Sequence, residues 1–156
     1  MGKNLSLMSG SSVDARPARP RTSGPGRTLI VFYFIMTIAA LARSLFEIIA
    51  HFGTAPVAYL LSLFAGLVYL VATIALITPG RRAYRVAFVA ITIELVGVLV
   101  IGTASVIDFG LFPFSGDRST VWAYYGLEYL LIPLALPVLG LLFLRSQRRV
   151  FAAAET

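Results

Sequence analysis

Four uninterrupted apolar runs constrain this 156-residue chain more than any other feature. They cover residues 28–52, 56–78, 86–107 and 122–145. A helix rising about 1.5 Å per residue needs roughly 20 residues to cross about 30 Å of hydrocarbon, so each run suffices for one crossing. The runs are continuously apolar rather than alternating, which excludes the strands of a membrane barrel. The expected fold class is therefore all-α, a bundle of four transmembrane helices. Composition agrees: 13% of residues are charged, against about 25% in soluble domains.

The connections set the topology. Gly53–Pro56 joins the first two runs and Thr78–Arg82 joins the second and third, with Pro and Gly as stop signals. Links this short make successive helices antiparallel neighbours, hence an up-down-up-down bundle. The third link, 108–121, is the longest, and its Phe109, Phe112 and Phe114 suggest a segment lying on the membrane surface. Residues 1–27 are rich in Arg, Pro, Ser and Gly and are expected to form a disordered basic tail. Residues 146–156 form a short tail at the other end.

The net charge of +6 could suggest nucleic acid, but its distribution points to topology. Lys3, Arg16, Arg19, Arg21 and Arg27 precede the first run; Arg81, Arg82 and Arg85 lie at the second link; Arg145, Arg148 and Arg149 follow the fourth run. The opposite side carries only Arg118, beside Asp108 and Asp117. Positive charge accumulates on the cytoplasmic side of membrane helices, so both termini are expected in the cytoplasm of a cell with a plasma-membrane location. No basic groove suited to nucleic acid emerges. Trp122, Tyr124 and Tyr125 are expected at the outer interface and Tyr84 at the inner one.

The chain has no cysteine, which excludes disulfides, thiolate metal sites and thiol catalysis. No sequence motif of a nucleotide site, a nucleophile elbow or a zinc protease is present. No cofactor and no metal is expected.

The chemistry resides in a few ionisable residues within apolar runs. Arg43, Glu47 and His51 follow one another at intervals of four, which stacks them on one face of the first helix. Glu94 falls near the middle of the third run and Glu128 about two turns into the fourth. A charge at the bilayer centre costs about 2.5–3.5 kcal/mol on insertion scales, so such residues turn inward and find partners. Two readings stand. In one, the five residues build a polar pocket open to the outer face, which binds a small solute or lipid headgroup or relays protons. In the other, they form an interhelical ion-pair network that locks the helices in register. Both give Arg43 a glutamate partner, and Glu94 lies deep enough to be one. His51 lacks the companions of a haem or metal ligand. Pro133 and Pro137 fall inside the fourth run, where each removes a backbone donor and predicts a kink. Ala65, Gly66, Ala72, Ala75, Gly97 and Gly102 permit close helix contact.

Several stretches resemble small four-helix integral membrane proteins of actinobacteria: Ala42–Ser44, Ala55–Ser62, Glu94–Thr103 and Pro133–Gly140. The resemblance covers roughly residues 28–145 and implies a plasma-membrane protein with four helices; it implies no activity. The expectation is a non-enzymatic accessory or scaffold subunit of a membrane complex, with the lipid bilayer and other membrane helices as partners. The alternative is a small transporter or binding protein, working as a homo-oligomer through Arg43 and the glutamates.

Overall fold

A computed structural model of the chain describes residues 24–108 and 119–153, with side chains as far as residue 147 in the last helix. The expectations for the tail before Gly24, for the surface link with Phe109, Phe112 and Phe114, and for residues 154–156 lie outside the described residues. All regular structure among the described residues is helical: α1 Gly24–His51, α2 Pro56–Ile77, α3 Arg81–Ile107, a short 3-10 segment Ala123–Tyr129, and α4 Ile132–Ala153. Helices α1 to α3 are each long and apolar enough to cross a membrane. The 3-10 segment and α4 meet that test only when taken together, as a pair bent by 100°.

Local chemistry sets the helix ends. Pro56 opens α2 at a position where no amide donor is required. Thr78 closes α2 by donating both its amide and its hydroxyl to the carbonyl of Ile74. Gly80 then adopts φ 119° and ψ 161°, a conformation essentially restricted to glycine, and α3 begins at the next residue. Helices α1 and α3 start at Gly24 and Arg81, ahead of the apolar runs, because a helix can continue through the polar headgroup layer. The 28 residues of α1 extend about 42 Å, longer than the hydrocarbon is thick.

Neighbouring helices pack in the order α1, α2, α3, α4 and back to α1, with α1 and α3 on a diagonal. Small residues set the approach: a Cβ on Gly66 would meet Leu41, and one on Gly26 would meet Phe143. The second contact joins the start of α1 to the end of α4, so the described chain ends share one end of the bundle. Arg27, Arg81, Arg82, Arg85 and Arg145 are at that same end. Between α1 and α2, Thr37 and Thr73 each return a hydroxyl to the carbonyl four residues earlier, and their oxygens lie 3.3 Å apart across the interface.

The last apolar stretch departs from the single helix expected over 122–145. A proline removes an amide and clashes with the carbonyl four residues back, so a helix running through Tyr129 and Pro133 would be kinked or broken there. A fresh helix instead starts at Ile132 with Pro133 in its first turn, where the missing donor is harmless. The sharp bend lies upstream of both prolines, at Leu130 and Leu131, whose φ angles are 57° and 60°. Tyr124, Tyr125 and Gly126 are left-handed as well, at φ 49°, 61° and 78°. Pro137 remains within α4.

This left-handed turn folds Ser119–Tyr124 into the bundle, where every one of the six residues is buried. The Val121 amide donates to Ser62 Oγ on α2 (3.3 Å). The Trp122 ring lies against Gly97 of α3, and Tyr125 lies against Gly102. Trp122 and Tyr124 thus leave the outer interface expected for them and become core residues. Two glycines on α3 vacate the volume that the aromatic rings occupy.

Candidate functional site

The structure distributes the five ionisable residues over three separate places. Arg43 Nη1 lies 3.4 Å from Glu128 Oε2 and donates to Tyr129 Oη at 2.9 Å. This joins α1 to the 3-10 segment, with the two charged side chains 28% and 20% exposed. Glu47 and His51 pair along one turn of α1 at 3.2 Å, with the imidazole at the exposed helix end. Glu94 is fully buried in the bundle, away from both pairs.

Register explains why Arg43 and Glu94 do not meet. Glu94 is the midpoint of α3, 13 residues from Arg81 and 13 from Ile107. Its Oε2 accepts a hydrogen bond of 2.7 Å from the Tyr33 hydroxyl, which fixes Tyr33 as the α1 residue at its level. Arg43 lies ten residues further along α1, about 15 Å away along the axis. The guanidinium therefore meets a carboxylate far from Glu94, on Glu128 of the 3-10 segment.

A second polar group at the bundle centre escaped the sequence reading. Tyr33 of α1, Tyr69 of α2, Glu94 of α3 and Trp122 of the inserted segment converge there, and all four are essentially inaccessible. The rings of Tyr33 and Tyr69 meet edge to face at 6.2 Å. The indole Nε1–H of Trp122 donates to Tyr69 Oη at 3.3 Å. Glu94 Oε1 has no hydrogen-bond partner among the described residues. Tyr33 and Glu94 bridge the diagonal between helices whose backbones do not touch. The signal available beforehand was weak: a tyrosine in an apolar run draws attention only once an acid is known to face it.

No family model, curated protein or solved structure matches the chain.

The geometry thus defines what this centre can do. A carboxyl group held by a single phenol, enclosed by three aromatic side chains, can donate, accept or exchange a proton, or clamp four chain segments together. Glu94, Val121 and Trp122 are all buried, so the carboxyl is closed off among the described residues. Helices α2 and α3 also diverge to leave an apolar groove with a volume of about 450 Å³, and none of the five ionisable residues lines it.

Proposed function

We propose that the protein is a non-enzymatic accessory or scaffold subunit of a plasma-membrane complex, acting by packing against other membrane helices, with both termini cytoplasmic. The observation that carries this reading is the local pairing of Arg43 with Glu128 and of Glu47 with His51, which among the described residues sets the charges in separate pairs rather than around one shared site. The clustering of Arg27, Arg81, Arg82, Arg85 and Arg145 at one end supports the cytoplasmic assignment. The outward faces of α1, α2 and α3 are almost wholly apolar, which suits contact with lipid or with other helices. Membership in the actinobacterial group of small four-helix proteins is part of the same proposal. Extraction of the tagged chain from its native membrane in a mild detergent tests it. A stoichiometric assembly with other helical membrane proteins is expected, and a strictly monomeric particle that copurifies with nothing would contradict it.

A second reading rests on Glu94. A carboxyl group enclosed in a membrane bundle is an expensive way to hold helices together, since well-packed apolar residues do so at least as well. Such residues mark proton and solute pathways. Under this reading the chain is a small oligomeric carrier, and Glu94 exchanges a proton during transport. Vesicles loaded with a pH-sensitive dye test it: wild-type protein dissipates an imposed proton gradient and Glu94→Gln does not. Equal dissipation by both proteins, or none by wild type, removes the reading.

A further inference from the structure

Helix α3 begins with a repeat that the polar network does not use. Arg81, Arg85, Val89 and Ile93 follow one another at intervals of four, so two guanidinium groups and two branched apolar side chains occupy one stripe. The stripe runs along the groove between α2 and α3. Leu67 and Val71 form the opposite wall, Phe64 closes the deep end, and Arg85 stands at the mouth. Phe64 is itself braced from behind by the Trp122 ring, edge to face at 6.0 Å.

Length and volume bear on the occupant. From Arg85 to Ile93 the groove follows α3 for eight residues, about 12 Å. One leaflet of hydrocarbon is about 15 Å deep, so the groove matches the inner part of a single acyl chain. The groove's volume of about 450 Å³ accommodates a chain of that length. Charge points the same way. Arg85 has no ion-pair partner among the described residues. Helix α2 has no acidic residue, and α3 has none before Glu94. Arg81 and Arg82 stand one turn from Arg85, so the apolar slot opens beneath a concentrated positive charge at headgroup level.

We infer that this groove is a binding site for one anionic glycerophospholipid, with an acyl chain between α2 and α3 and its phosphate at Arg85 and Arg82. The site lies on the opposite half of the bundle from Arg43 and Glu128 and depends on neither reading above. Anionic lipids gain about 1 kcal/mol per neighbouring cation at the membrane surface, so two cations give a preference of roughly thirtyfold.

The test reconstitutes the protein in vesicles of equal phosphatidylglycerol and phosphatidylcholine, extracts it in mild detergent, and counts retained lipids by native mass spectrometry. Wild type is expected to keep one phosphatidylglycerol in strong preference. The double variant Arg82→Gln with Arg85→Gln, both at exposed positions, is expected to lose that preference, while Leu67→Trp fills the slot and lowers retention of both lipids. Equal retention of the two lipids by wild type, or an undiminished preference in the double variant, would overturn the inference. The chain has no native cysteine, so Val89→Cys reports the remaining occupant. A disulfide between two copies in the bilayer assigns the groove to a second molecule and overturns the lipid site, whereas its absence supports the lipid.

Discussion

Removing one oxygen atom, in Tyr33→Phe, deprives Glu94 of its single hydrogen-bond donor among the described residues. The carboxyl then has two unpartnered oxygens in a fully buried position. A buried polar group left unsatisfied costs about 1–3 kcal/mol, and an acid belongs at the upper end. Glu94→Leu has the opposite defect: it orphans the Tyr33 hydroxyl but also removes a carboxyl that was costly to bury, so its effect falls near the lower end, about 1 kcal/mol. The double variant Tyr33→Phe with Glu94→Leu leaves nothing unsatisfied and should lie within about 1 kcal/mol of wild type. The double-mutant cycle therefore predicts a coupling of about 3 kcal/mol, well above the roughly 0.3–0.5 kcal/mol scatter of independent sites. Reversible unfolding in mixed micelles, followed by circular dichroism, supplies the four stabilities. If the double variant lost the sum of the two single losses, Tyr33 and Glu94 would not be partners and the proposed diagonal clamp would fail.

Three further outcomes follow from the same packing. Gly97→Val should destabilise by about 1–3 kcal/mol, because any Cβ there meets the Trp122 ring; Gly53→Val, in open space, should be nearly silent in the same assay. Leu130→Gly should stabilise by about 1 kcal/mol, since Leu130 is left-handed and 86% exposed, so strain is relieved with little packing lost. Glu128→Gln should lower stability by up to about 1 kcal/mol and Glu47→Gln by less, because the His51 partner is 47% exposed; the reverse order would contradict the assigned pairing.

The first three helices were legible because hydrocarbon leaves the backbone no other way to satisfy itself. Their ends were less so: Arg81 and Arg82 are polar and helical at once, and hydropathy does not register that combination. The stretch from Trp122 to Leu131 carries Glu128 and three tyrosines and is less apolar than the first three helices, but it runs straight on into the apolar residues 132–144, so a window over 122–145 reads as one span. Gly126, whose absent side chain admits Pro133, and the pair Gly97 and Gly102 are further traces of the turn. Glu94 was legible as an acid that must turn inward. Its partner was not, because the choice between Tyr33 and Arg43 depends on an axial register of about 15 Å that sequence spacing leaves open.

The most direct test of the account concerns which side of the membrane each turn occupies. Thr54 and Thr78 are exposed and lie at opposite ends of α2, and the chain carries no cysteine to confuse the result. In intact spheroplasts, a membrane-impermeant maleimide should label Thr54→Cys at once and Thr78→Cys only after the membrane is opened. Labelling of both from the same side would mean that α2 does not cross the bilayer, and labelling of Thr78→Cys alone would invert the bundle.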